Sequence, residues 1–444
     1  MELGSWALIS APSIFGLLPL IIFVIWAFRG KDTLSGMLLG ITVGAILLGL
    51  DLSALAKVFQ DSLGSPPVLI AVIIMLGAGL GVLMTEAHVS HTLVYWIVKR
   101  IGVNTRTKAK ISLAVCSILI CGLLGTLAGG NAVIAPVILP IMATLGVTPT
   151  VVTALFKVSG EIGLILGPLT GVTLMTLEMT GLSYGQFMMQ AAIPYAVVWF
   201  IGTWIGCNRA QKRTEGKESY ELSDDVKDLS SIVITPQQIR TTVAFFITFI
   251  ILIGYGIYSK QGTGYAVIVM IILAAVVAAF SHIKFERAVE CVIQGAKSQV
   301  YMLLIGIAIS ILLTQVTAAG GFEALSDMIN GVAKSGGPAG IMLLATLVGG
   351  FGIEASAVAE IQIITMMFGD LAKEVGLPMG CFALIILAAT RLTGNTYPTV
   401  NFVGQMGIAQ CTNTKEVLQA LWFGSGLLVV FLVIMAFLGP VIYT

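Results

Sequence analysis

Apolar runs of about twenty residues, set off by short polar connectors, recur along nearly the whole chain. Wound as helices, runs of that length match the hydrocarbon thickness of a bilayer. The alternating ten-residue pattern of an outer-membrane barrel is absent. The pattern predicts an all-α polytopic membrane protein.

The apolar runs also repeat. GLPLIIFVIWAF and GMLLGITVGAILLGL open the first half, and TTVAFFITFIILIGYGIY and GYAVIVMIILAAVVAAF open the second. VLIAVIIMLGAGLGVLMTEA then pairs with VYMLLIGIAISILLTQVTAA, and FKVSGEIGLILGPLTGVTL with LAATRLTGNTYPTVNFV, which brings Pro168 and Pro398 into register. Such internal similarity is the signature of repeat-built transporters. It divides the chain into residues 1–210 and 236–444, joined by a polar linker over 211–235.

Charge sets the expected topology. Basic residues cluster after the first span (Arg29, Lys31), after the third (Lys99, Arg100, Arg106, Lys108, Lys110), in the linker, and at Lys284 and Arg287. The positive-inside rule makes these loops cytoplasmic. Segment 110–147 then starts and ends inside, which makes it a re-entrant hairpin turning near Leu127-Ala128-Gly129-Gly130-Asn131. A second hairpin is expected over 338–375, entering from outside. Each half has five crossings plus one hairpin; five is odd, so the halves are expected to be inverted, with both termini outside. One crossing in each half is broken, over 149–180 and 378–410.

Composition narrows the class. The 444 residues are 57% hydrophobic and 10% charged. Soluble domains carry about 25% charged residues. The net charge of +1 suggests no nucleic-acid partner. The N-terminus lacks a basic n-region, so the first apolar run reads as a retained helix. The six cysteines show no CxxC spacing and read as buried thiols, and the three histidines form no metal-ligand cluster.

Chemistry concentrates where helices break. Freed N–H and C=O groups cost several kcal/mol each in hydrocarbon, so they persist where they line a polar cavity. Four such places stand out: the hairpin tips at Gly129-Gly130-Asn131 and Gly350 to Ser356, and the broken crossings at Gly163 to Gly171 and Thr393 to Thr399. Half-helix N-termini attract anions and freed carbonyls bind Na⁺. Taken singly, a Gly-Gly pair is a packing contact and Pro168 a kink; the shared register gives them a second meaning.

Lys157, Glu161, Glu354, Glu360 and Arg391 are ionisable groups at depth. Each costs at least about 2.5–3.5 kcal/mol at a bilayer centre and demands a partner or a function. Lys157 and Glu161, four apart on one helix, neutralise each other on the structural reading. Glu161, Glu354 and Glu360 are candidates to bind Na⁺ or titrate as the coupling group. Arg391 either clamps a substrate carboxylate or locks one of these glutamates. Asn131, Asn395, Thr396, Thr399 and Asn401 offer polar substrate contacts. Gly130, Gly167, Thr170 and Ser356 are expected to join the three glutamates in ion coupling. Together the five charges leave one net negative charge when all are ionised, which leans toward a cationic co-substrate.

Repeats with small-residue hairpin tips and crossings broken at Gly, Pro, Thr and Asn resemble the ion transporter superfamily of secondary carriers. Gly81 to Ala87, GGNAVIAPVILPIMATLGV and GPLTGVTLMTLEMTGLSYGQFMMQAAIP are similar to its branch of C4-dicarboxylate carriers, gluconate permeases and the Na⁺/H⁺ antiporter C family. The resemblance implies elevator-type alternating access, homodimers, a bacterial-type inner membrane, and coupling to Na⁺ or H⁺ with no further cofactor. By position it places Asn131 and Gly167–Thr170 in one ion site, and Ser356 and Asn395–Thr399 in a second. Gly129-Gly130-Asn131 stands where the family carries Ser-Asn-Thr.

Two functions stay open at this point: a carrier for a small carboxylate-bearing solute such as an organic or amino acid, and a Na⁺/H⁺ antiporter without an organic substrate. No HExxH, GxSxG or paired-histidine motif supports an enzyme.

Overall fold

A computed structural model describes residues 3–220, 234–352, 355–396 and 398–443, apart from the side chains of 330 and 332–334. Among the described residues all regular structure is helical, and nine helices are long and apolar enough to cross a membrane.

The first half runs through α1 (Leu18–Phe28), α2 (Thr33–Leu48), α3 (Leu52–Ser62), α4 (Pro66–Glu86), α5 (Val89–Ile101), α6 (Arg106–Leu124), α7 (Leu127–Thr144), α8 (Pro149–Leu166) and α9 (Gly171–Thr180). It ends in the short α10 (Tyr184–Phe187), a π-turn, and α11 (Ile193–Thr214). The second half follows the same order: α12 (Pro236–Tyr258), α13 (Tyr265–Ser281), α14 (Phe285–Lys297), α15 (Val300–Ala318), α16 (Gly321–Gly352), α17 (Ala357–Glu374), α18 (Met379–Arg391), α19 (Thr393–Thr396), α20 (Val400–Ile408) and α21 (Thr414–Ile442). Gly337, at φ 57°, kinks α16 into two arms, which follow α15 in order as α5 and α6 follow α4. The intervening helices α3 and α14 escaped the hydropathy reading because they are short and carry charges.

Local chemistry explains the boundaries. The Asp32 carboxylate accepts from Ser35 N (2.7 Å) to cap α2, and left-handed Gly49 ends it. Thr235 and Gln238 form a capping box with Pro236 at the first turn of α12.

The halves interlock in a reciprocal way. Helix α2 packs on α15, and α4 packs on α13. Beyond the breaks, α9 packs on α17 and α20 packs on α7. Helices α11 and α21 pack together on small residues. A Cβ on Gly206 would overlap the Ala420 carbonyl, and Gly202 lies equally close to Phe423 and Gly424.

One predicted turn is misplaced. The α6–α7 turn is Gly125-Thr126, not Leu127 to Asn131. Gly125 takes the left-handed conformation (φ 66°) and Thr126 is extended, so Gly129, Gly130 and Asn131 lie inside α7. A glycine that can adopt positive φ ended the helix before the Gly-Gly pair was reached. The turn faces Leu169 and Thr170, so it stands level with the break between α8 and α9. The other ends of α6 and α7 meet at one surface: Arg106 Nε donates to Leu145 O (2.9 Å), and Gln211 Nε2 to Gly146 O (2.9 Å). Second-half α16 and α17 pack together in the same way, with Thr393 Oγ1 donating to Gly350 O (2.7 Å) beside the second break.

Helix α11 continues past the expected boundary at 210, and the chain after it folds back. Glu218 accepts from Thr150 N (3.1 Å), Thr150 Oγ1 (2.9 Å) and Asn413 Nδ2 (2.8 Å), tying the start of α8 to that of α21. Elsewhere the outer faces are apolar: Ile247, Ile250 and Ile251 on α12, and Val430, Phe437 and Leu438 on α21, are exposed. In water such a surface would aggregate, whereas lipid tails cover it at no cost.

The α11–α21 crossing makes a prediction. Gly206→Ala should destabilise the protein by about 1–3 kcal/mol through overpacking, seen as a lower melting temperature in detergent. Gly426→Ala, on the same α21 but with open space around it, should leave that temperature unchanged.

Candidate functional site

Three of the ionisable groups expected at depth come together. Lys157 Nζ lies 2.8 Å from Glu161 Oε1 along α8. Arg391 Nη1, at the end of α18, lies 3.9 Å from the same oxygen. All three side chains are at most 4% exposed. The position of a Cβ on Gly394 is 3.4 Å from Lys157 Nζ, so the ammonium sits against the second break. One turn beyond Arg391, Asn395 Nδ2 donates to the Arg391 carbonyl (3.0 Å).

Several atoms of this group have no hydrogen-bond partner although they are buried. They are Nε and Nη2 of Arg391, Oε2 of Glu161 and Oδ1 of Asn395. The Tyr195 hydroxyl of α11, within electrostatic reach of Arg391 and Glu161, is another. An unsatisfied buried group costs about 1–3 kcal/mol, more when charged.

The chain matches the family described as tripartite ATP-independent periplasmic transporter, DctM component, over residues 14–441. It belongs to that family. It is therefore a multi-pass membrane component of a secondary transporter, not an enzyme, and the family resides in the bacterial inner membrane. The ion-transporter resemblance agrees at the level of secondary carriers. No curated protein matches the chain. Among solved structures it is similar to Neisseria gonorrhoeae MtrF, described as illuminating a class of antimetabolite efflux pumps, at TM-score 0.63 and 14% identity, covering 98% of this chain and 97% of that one. At that identity the likeness speaks for the fold alone.

A second cluster in this DctM-family chain surrounds Asn131. Ser117 Oγ donates to Asn131 Oδ1 (2.6 Å), while Asn131 Nδ2 donates to Phe156 O (2.8 Å) and Gln405 Oε1 (2.6 Å). Phe156 precedes Lys157, so the two clusters share the backbone of α8. Gly130 and Gly160 let α7 and α8 close on Cys121 and Asn131. The Asn131 side chain is thus fully engaged within the protein, joining α6, α7 and α8 of one half to α20 of the other.

At the first break Gly167 ends α8 in an extended conformation, and Thr170 caps α9. Thr170 Oγ1 donates to the Leu164 carbonyl and to Gly167 O (3.1 Å), and Thr173 Oγ1 donates to Ile165 O (3.1 Å). The carbonyls freed by the break are therefore held by threonine hydroxyls. At the second tip Ser356 caps α17, and the buried Glu360 carboxylate accepts from Ala355 N (3.0 Å). Thr396 Oγ1 donates to Thr393 O (2.8 Å), and Thr399 caps α20 through Phe402 N (3.3 Å). Asn401 is exposed. Glu354 lies outside the described residues. Among the described residues no group of histidine, cysteine or acidic side chains is placed to hold a metal, and the six cysteines are free and buried.

Sequence reasoning passed over Gln405, Ser117 and Tyr195. Gln405 carried a usable signal, a long amide in the helix that follows a break; the other two sit in ordinary apolar runs. Asn131→Ala strands Ser117 and the Phe156 carbonyl and should cost about 2–4 kcal/mol, against about 1 kcal/mol for Gln405→Ala. Thermal melting in detergent compares them; equal losses would contradict a hub at Asn131.

Proposed function

We propose that this protein is a secondary active transporter for a small carboxylate-bearing solute, coupled to Na⁺ or H⁺ and working by elevator-type alternating access. The observation that carries the reading is Arg391, a buried guanidinium with Nε and Nη2 unpartnered beside Lys157. At 3.9 Å Glu161 attracts it without hydrogen-bonding it. A planar pair of donors is suited to a carboxylate, which accepts bidentately.

The layout supports the transport mechanism. The recurring helix order and the reciprocal packing of the halves agree with two inverted repeats. The first hairpin turns level with a break, so we read both hairpins as re-entrant, with the loops around Arg106 and Gln211 cytoplasmic and the termini outside. Thr170, Thr173 and the carbonyls they hold are the first coupling site, where a cation replaces the hydroxyl protons as partner. Ser356 and Glu360 are the second. The likeness to the C4-dicarboxylate, gluconate and antiporter branch supports the same class of mechanism. A Na⁺/H⁺ antiporter is the second reading, favoured by the unpartnered Oε2 of Glu161.

Proteoliposomes separate the two. Arg391→Lys keeps the charge but loses the fork, and solute-driven cation uptake should fall at least about tenfold; unchanged kinetics would end the carboxylate-clamp idea. With no organic solute present, an imposed pH gradient should survive the addition of Na⁺. Rapid dissipation that disappears in Glu161→Gln would establish the antiporter instead.

A further inference from the structure

The two halves also meet away from the ion cluster, beyond the first break. Helix α8 starts beside Glu218, and the chain runs on through the break and α9. The 18 and 10 residues of these helices make about 42 Å of helix at about 1.5 Å per residue, enough to cross the hydrocarbon. The end of α9 therefore stands on the face opposite Glu218. There Thr263 Oγ1, from the loop between α12 and α13, donates to Glu178 Oε2 (2.7 Å). One half of the chain is bonded to the other at an exposed rim.

Beneath this hydrogen bond lies a cleft of about 570 Å³. Its walls are α9 and α10 on one side and the ends of α12 and α13 on the other. Exposed Glu178 and Lys260 stand at its mouth, while Pro168 and the buried Leu169 bring it to the break. Tyr184 lines it and donates its hydroxyl to Leu166 O (2.6 Å), at the last residue of α8. Ser183, Gln186 and Gln261 add further polar groups. Lipid tails offer such groups nothing, whereas water bonds to them. A groove of about 480 Å³ between α4, α13 and α14 gives the contrast, because its lining, Ala275 and Val289 included, is apolar throughout.

We propose that the cleft is a water-filled route from this face to the first break, and that the Thr263–Glu178 hydrogen bond is a strap across its mouth. The Leu166 carbonyl at the inner end is an acceptor that a cation can take over from Tyr184. That the traveller is a small hydrated cation rests on the reading of this break as a coupling site; the route and its strap do not. Opening needs α9 to part from the α12–α13 loop, and a single hydrogen bond at an exposed rim is a small barrier to that motion.

The test places a cysteine at Leu169 or, on the α13 wall, at Ala266. The full-length protein is held in proteoliposomes, with a positively charged, membrane-impermeant methanethiosulfonate on both sides. The six native cysteines are buried, so the unaltered protein sets the background. Leu169→Cys and Ala266→Cys should both react, and adding Thr263→Val should speed them about tenfold by removing the donor. Thr263→Ser keeps the hydroxyl and should return the rate to that of the parent. Ala275→Cys, exposed in the apolar groove, should react only with a membrane-permeant maleimide. Failure of both reporters to react with the charged reagent, whether or not the maleimide reaches them, would overturn the water-filled route. Rates that Thr263→Val leaves unchanged would overturn the strap. With the strap removed, Na⁺ in place of choline should slow the reaction of Leu169→Cys; no effect of Na⁺ would count against the coupling site at this break and leave the route standing.

Discussion

A polypeptide at membrane depth has no water to satisfy its backbone, so any helix that breaks must find partners for what it exposes. Here two crossings break, and the rest of the architecture answers that demand. Thr170 and Thr173 reach back to the carbonyls of the α8 end. Thr393 ties the second break to Gly350, and Asn395 to Arg391. The α6–α7 turn stands level with the first break, and small residues such as Gly122, Gly163 and Gly167 let the backbones close on one another. Without that close packing the breaks would be holes in the bilayer; with it they become the polar interior of the protein.

The buried ions depend on the same arrangement. A lysine and an arginine at depth are expensive, and one glutamate serves both. Glu161 neutralises Lys157 from the same helix, which could occur in an isolated segment. Arg391 reaches the pair from the other half of the chain. A similar bridge runs through Asn131 and Gln405, again between halves. The two halves of the chain are thus joined by polar contacts.

At one polar surface Glu218 draws Thr150 and Asn413 together while Arg106 and Gln211 hold the ends of α7. The starts of α8 and α21 therefore behave as one piece. The α11–α21 crossing carries that rigidity through the membrane, because glycine-on-backbone contact leaves little room for the helices to slide.

Much of this was legible in the sequence. Runs of apolar residues of bilayer length gave the helices, since hydropathy and length alone decide what can span hydrocarbon. The breaks that follow Leu166 and Arg391 were visible as Gly, Pro, Thr and Asn. Lys157 and Glu161 paired as their four-residue spacing requires. Other features were hidden. The first turn fell at Gly125-Thr126 because helix ending depends on one residue's φ, which a Gly-Gly pair nearby masked. The role of Gln405 was invisible because its partner is 274 positions away. That Arg391 would stand 3.9 Å from Glu161 is set by packing that no local pattern encodes. The sequence by itself determined what each segment had to bury, because burial follows from composition and period. The tertiary structure alone decided which buried groups face one another, because partners across the two halves are set by packing geometry and not by spacing along the chain.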